Sequence, residues 1–107
     1  MREITKEALK AKLDKNHDFK LVMVLGDWQY RAKHITGSIN ISSPDDSRVQ
    51  ELSKDEEIVL YCSDKACVAS RYAYHMMEQD GFTNVHRYAG GIAEWEDAGF
   101  PLVGEMV

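Results

Sequence analysis

Ile58-Val59-Leu60-Tyr61-Cys62-Ser63-Asp64-Lys65-Ala66-Cys67-Val68-Ala69-Ser70-Arg71 is the stretch on which the reading of this chain turns. Its first four residues are apolar or aromatic, as in a buried strand. Its end opens a helix: Val68, Tyr72 and Met76 recur every four residues, with Ala69, Ala73 and Met77 beside them. A few small or polar residues separate the two, bounded by cysteines. Cys62 therefore stands where a strand stops and faces a helix about to start. Amides at a helix N-terminus lack intrahelical partners and carry partial positive charge, and a tight loop adds more of them. A thiol placed there is expected to ionise more readily than a free one and to react as a thiolate. Many unpaired cysteines are simply small buried hydrophobes; strand, short loop and helix in succession favour the nucleophile.

Outward from this stretch, strands and helices alternate. Thr5 is read as the cap of a first helix ending near Leu13. Phe19 to Leu25 is short and almost wholly apolar, as in a parallel strand covered on both faces. Asp27 is expected to cap a short helix over Trp28 to Ala32, followed by a strand at Ile39-Asn40-Ile41. Ser43-Pro44-Asp45 reads as the start of a brief helix over Asp45 to Leu52. After Cys67 a helix is expected to run to about Gln79 and to end at a left-handed Gly81. Val85 to Tyr88 is a further strand, and Ile92 to Ala98 a last helix stopped by Gly99. Such alternation predicts an α/β fold: three layers, with a mostly parallel central sheet flanked by helices. Sites in such folds lie at the carboxyl ends of strands, where Cys62 falls.

The 107 residues fit one domain over 1–107. A net charge of −5 argues against nucleic acid or an anionic membrane as the main partner. No apolar run approaches the ~20 residues of a membrane span, and Met1-Arg2-Glu3-Ile4-Thr5-Lys6-Glu7 is unlike a signal peptide. The expected location is the cytoplasm, where thiols stay reduced. Cys62 and Cys67, with only four residues between them, serve chemistry rather than stapling a fold. His17, His34, His75 and His86 show no ligand spacing around them, so neither a metal nor another cofactor is expected. His34 is read as structural, Trp28 and Trp95 as core or near-core aromatics, and Gly90 and Gly91 as backbone turns.

Two further stretches carry a family resemblance. His34-Ile35-Thr36-Gly37-Ser38-Ile39-Asn40-Ile41 resembles the G-H-I-x-G-A-x-N-I signature near the start of rhodanese domains. Val85 to Pro101 resembles their closing signature, L-x-G-G-x-x-x-W-x-x-x-G-x-P, through Gly90, Gly91, Trp95, Gly99 and Pro101. From about Ile4 to Leu102 the chain resembles a single-domain rhodanese-like sulfurtransferase. That resemblance implies an enzyme whose cysteine accepts sulfur from thiosulfate or a persulfide, carries it as a persulfide, and passes it to a thiophilic acceptor. Cys62 matches the nucleophile. Ser63, Asp64, Lys65, Ala66 and Cys67 match the substrate-binding loop, whose backbone amides are expected to point at the sulfur. The partners implied are a small-molecule sulfur donor or acceptor, or a protein persulfide. The loop Cys62 to Cys67 has the length of family members that handle sulfur; related phosphatases and arsenate reductases carry one residue more.

The chain also departs from the pattern. Relatives commonly read C-R-x-G-x-R-S, whereas here Ser63, Lys65 and Cys67 replace the first arginine, the glycine and the second arginine, and Asp64 adds a negative charge. With one cation in the loop, thiosulfate is expected to be a poor donor; Arg71 is read as a solvated helix residue. The upstream D-V-R-x-x-x-E pattern becomes Met23-Val24-Leu25 and Gln29. Joint loss of the arginine and the glutamate is what pairing between them predicts. Cys67 is open to two readings, a small residue at a helix start or a resolving thiol for Cys62. The alternative to the enzyme is a non-catalytic or redox-sensing module in which Cys62 and Cys67 cycle between dithiol and disulfide.

Overall fold

A computed structural model describes residues 1–43 and 45–107. The central sheet contains β1 (Lys20–Met23), β3 (Ile39–Asn40), β4 (Ile58–Tyr61) and β5 (Val85–Tyr88) in the order β3-β1-β4-β5. Every pairing within it is parallel. Around it lie α1 (Lys6–Asp14), α2 (Asp27–Ala32), α3 (Ala69–Gln79) and α4 (Gly91–Asp97). Two short strands, β2 (His34–Ile35) and β6 (Leu102–Val103), pair antiparallel in a separate ribbon. The mostly parallel three-layer α/β architecture is thus the one the alternation predicts.

The strands explain the layers. Side chains alternate across a strand, and both faces here are apolar. Leu21, Met23, Val59 and Tyr61 point to one side, where they meet Leu9 of α1 and Trp95 of α4. Val22, Ile58 and Leu60 point to the other, where they meet Tyr74 of α3, Phe82 and Leu52. A strand buried on both faces needs cover on both. By the same alternation Cys62 follows Leu60 onto the α3 side.

Local signals account for most of the boundaries. Thr5 caps α1 by accepting the Ala8 amide on its hydroxyl at 3.1 Å. Gly81 ends α3 in the left-handed region at φ 92°. Two expectations shift. Asp27 is the first residue of α2, and Gly26 precedes it as a cap without a side-chain bond. The helix expected over Asp45 to Leu52 is a 3-10 turn, Ser47–Glu51: the Ser43 hydroxyl accepts the Asp45 amide at 3.2 Å, and Asp46 caps the turn by accepting the Arg48 amide at 2.9 Å. Pro44, read as the first residue of that helix, lies outside the described residues. Among the described residues no helix is long and apolar enough to cross a membrane.

Candidate active site

β4 ends at Tyr61, and α3 begins at Ala69. The loop between them is pinned from below by α4. The Ile92 amide donates to the Cys62 carbonyl at 3.1 Å and the Ala93 amide to the Ser63 carbonyl at 2.9 Å. This approach explains Gly91. It sits at φ +65°, and a Cβ there would meet the Cys62 carbonyl oxygen at 2.6 Å and the Ser63 carbonyl carbon at 2.7 Å. The tryptophan of the closing signature fastens the same helix: Trp95 is buried and its Nε1–H donates to the Pro101 carbonyl at 2.9 Å.

The side chain of Cys62 is 1% exposed. Its neighbours are polar. Sγ lies 3.3 Å from Ser70 Oγ and 3.7 Å from the Cys67 carbonyl oxygen, and it also receives the Ser70 amide and meets the Cys67 thiol. Behind Ser70 stands Arg87 of β5, 2% exposed. Its Nε–H donates to Ser70 Oγ at 2.9 Å, one Nη to the Cys67 carbonyl at 3.4 Å and the other to Glu3 at 3.1 Å. Because Ser70 Oγ accepts from Arg87, its own hydrogen is free to point at the Cys62 sulfur once that sulfur is a thiolate. Neither Ser70 nor Arg87 stands out as functional in the sequence reading. The available signal is an arginine inside the short strand Val85–Tyr88, since a fully buried guanidinium requires partners.

The two thiols differ from expectation. Burial first, and then the Cys67 thiol, push Cys62 above the ordinary cysteine value, against the downward pull of Ser70. The expectation of an easily ionised Cys62 is thus reversed, because it faces the interior and two amides of its loop, those of Ala66 and Cys67, are taken by Asp64. Cys67 is half-buried. Burial acts to raise it, but the Cys62 thiol and the amides of Ala69 and Ser63, with the Ser63 hydroxyl, outweigh that and bring it below the ordinary value.

The loop amides likewise divide. The expectation was that Ser63, Asp64, Lys65, Ala66 and Cys67 all aim theirs at the Cys62 sulfur. Instead Asp64 folds back, and its Oδ1 accepts the Ala66 amide at 2.9 Å and the Cys67 amide at 3.1 Å. Aspartate readily makes this turn with amides two and three residues on. The Ser63 amide faces Cys67. Asp64, Lys65 and Ala66 are exposed, as is Arg71. α3 begins at Ala69, two residues beyond Cys67.

Other predicted residues fall as follows. His34 is structural: Nδ1 meets the Tyr30 carbonyl at 2.6 Å and its ring stacks on Tyr30 at 3.7 Å. Trp28 is 65% exposed and so is not a core aromatic; α2 buries none of its residues fully and turns Trp28 outward. Val68 and Tyr72 are exposed as well, while Ala69, Ala73, Met76 and Met77 line an apolar cavity of about 170 Å³ against Val22 and Leu60.

Comparison with known proteins agrees with this geometry. Residues 5–98 match the rhodanese-like domain family. The chain is 37% identical over 83 residues to the HTH-type transcriptional regulator Rv0324 of Mycobacterium tuberculosis, covering 77% of this chain and 36% of that protein. It is 29% identical over 94 residues to the putative sulfur carrier protein YrkF of Bacillus subtilis, covering 87% of this chain and 50% of that one. The chain thus spans half or less of the length of these curated relatives. The crystal structure of the BH2092 protein from Bacillus halodurans superposes with a TM-score of 0.90 at 26% identity, covering 98% of this chain and 78% of that one. With residues 5–98 matched to the family and Gly91 and Trp95 of the closing signature in the roles just described, this chain belongs to the rhodanese-like family.

Proposed function

We propose that the domain is a sulfurtransferase that carries sulfur on Cys62. The Cys62 thiolate attacks the outer sulfur of a donor R–S–SH, forms Cys62–S–SH and releases R–S⁻. An acceptor thiolate, or cyanide, then attacks that outer sulfur and regenerates the Cys62 thiolate. The observation that carries this reading is the placement of the Cys62 sulfur at the carboxyl end of β4, against the amide and hydroxyl of Ser70. These donors hold a charged sulfur without a general base, and Arg87, from behind Ser70, positions the hydroxyl. The family and the sulfur-carrier relative support it.

The preferred donor is an organic or protein persulfide rather than thiosulfate. Lys65 is the one cation of the loop, and the exposed Asp64 carboxylate repels a dianion at the mouth. Since Cys62 is closed off, loading requires the exposed turn at Asp64, Lys65 and Ala66 to open; the Ser63 and Cys67 side chains then flank the entering sulfur. The test is thiocyanate formation from cyanide with thiosulfate or with an organic persulfide, together with intact mass of the wild type and Cys62→Ser. The expected result is faster turnover with the persulfide and a sulfur adduct of about 32 Da only when Cys62 is present. Absence of the adduct with every donor ends the proposal.

A further inference from the structure

Arg87 is a buried cation on the Cys62 side of the sheet. By alternation along β5, Val85 and Arg87 point toward α3, while His86 and Tyr88 point away. The guanidinium engages both groups that lie against the sulfur. Its Nε–H donates at 2.9 Å to Ser70 Oγ, which is 3.3 Å from Sγ. One Nη donates at 3.4 Å to the Cys67 carbonyl oxygen, which is 3.7 Å from Sγ. A neutral thiol donates to that carbonyl, but a thiolate faces the negative end of its dipole. A guanidinium on the same oxygen offsets the repulsion, and a fixed charge in a dry interior acts more strongly than one in solvent. On its far side the guanidinium meets the Glu3 carboxylate at 3.1 Å, and the Glu3 side chain is 54% exposed. The segment carrying Glu3 is fastened in place. The Arg87 amide donates to the Arg2 carbonyl at 2.9 Å, the Ile4 amide to the Arg87 carbonyl at 3.0 Å, and the Arg2 amide to the Tyr74 hydroxyl of α3 at 3.0 Å.

We propose that Arg87 is the counterion of the Cys62 thiolate, acting from beneath through Ser70 and the Cys67 carbonyl, and that Glu3 on the N-terminal segment keeps part of that charge neutralised. The proposal rests on the sulfurtransferase reading for the use made of the thiolate, and not for the charge balance itself. Neither residue touches the reacting sulfur; both are positioning residues. The other charged or titratable groups nearby are placed differently. Asp64 and Lys65 of the loop and Arg71 of α3 are exposed, where solvent and salt screen them. Cys67 titrates beside Cys62 within the loop. Glu94 of α4 accepts the Tyr88 hydroxyl at 2.9 Å, on the side of β5 turned away from α3. The Arg2 guanidinium donates to the Thr83 carbonyl at 2.7 Å. Removing the charge of Arg87 and removing that of Glu3 should therefore move the ionisation of Cys62 in opposite directions, which a general loosening of the fold does not do.

The test is an NMR pH titration of the full chain labelled at cysteine Cβ with the NMR-active carbon isotope, which reads each thiol by itself; Cys67→Ser assigns the two signals. Glu3→Gln keeps an acceptor for the guanidinium and removes the charge, and the Cys62 midpoint should fall by about half a unit. Arg87→Met should raise it by about one unit, and Arg87→Lys, which keeps the charge, should restore most of that difference. Sulfur loading of Glu3→Gln at neutral pH should run about threefold faster than in the wild type. A Glu3 that served stability alone would lower the unfolding temperature and leave the midpoint in place. A midpoint that stays or rises in Glu3→Gln overturns the proposal, as does one that stays or falls in Arg87→Met. Should Arg87→Met fail to fold, Glu3→Gln decides alone. The titration uses no sulfur donor, so its failure leaves the sulfurtransferase reading standing. A Cys62 that titrates as expected yet takes sulfur from no donor ends that reading and leaves the charge balance in place.

Discussion

Ser70 is the residue through which Arg87 acts on Cys62. Its hydroxyl accepts from a buried guanidinium and lies 3.3 Å from the sulfur, so removing it takes a donor from the thiolate and a partner from Arg87. We expect Ser70→Ala to slow sulfur loading of Cys62 roughly tenfold, since loss of a charge-assisted bond is worth about 1.5 kcal/mol. The pH profile of loading should move to higher pH, and Ser70→Thr should restore it. A merely structural serine would lower thermal stability and leave the profile in place. In the wild type, loading should rise with pH past the ordinary thiol range. Burial, foremost, holds the Cys62 thiol up, and only the thiolate reacts.

At the scale of elements, the loop after β4 is shaped by its contact with α4. Gly91→Ala places a methyl against the Cys62 and Ser63 backbone at a positive φ. It should cost about 3 kcal/mol in urea unfolding and impair loading even in the fraction that stays folded. The second element is α2, where the sequence departures at Leu25 and Gln29 predict the loss of an ion pair. Gln29 Oε1 in α2 is buried without a donor among the described residues and lies over Gly26, and Leu25 is half-buried. Leu25→Arg alone should lower stability by about 2 kcal/mol by burying a charge. Adding Gln29→Glu should recover at least half of this. Denaturant unfolding of the two single variants and the double variant checks it, and strict additivity would show that no pair forms.

Over the whole molecule, one contribution to the response to acid lies where the sheet's outer edge meets the N-terminal segment. Residues 2–4 run beside β5: the Arg87 amide donates to the Arg2 carbonyl and the Ile4 amide to the Arg87 carbonyl. Between them His86 has a buried Nδ1 without a partner. Burial first, then Arg2, hold its imidazole below the ordinary 6.5, with Lys12 acting the same way and Glu57 against. A base depressed in the folded state binds its proton more tightly when unfolded. Its contribution to stability is therefore intact above 6.5 and is lost as pH falls through the folded-state value. Thermal unfolding midpoints should drop on acidification from 6.5 downward, and His86→Val should flatten that segment of the curve. An unchanged slope in the variant would assign the drop to other groups.

The layer order, the cap at Thr5, the left-handed stop at Gly81 and the place of Cys62 after a strand are all legible in the chain, because each depends on residues a few positions apart. The roles of Gly91 and Trp95 can be anticipated as a signature, although the backbone contact that demands the glycine becomes visible only when α4 meets the loop. What the tertiary structure alone decides is how deeply Cys62 is buried and what stands behind it: Ser70 and, from β5, a guanidinium seventeen residues beyond Ser70. Burial acquired on folding, set against hydrogen bonds from residues a few positions along the chain, sets the ionisation of Cys62 and Cys67.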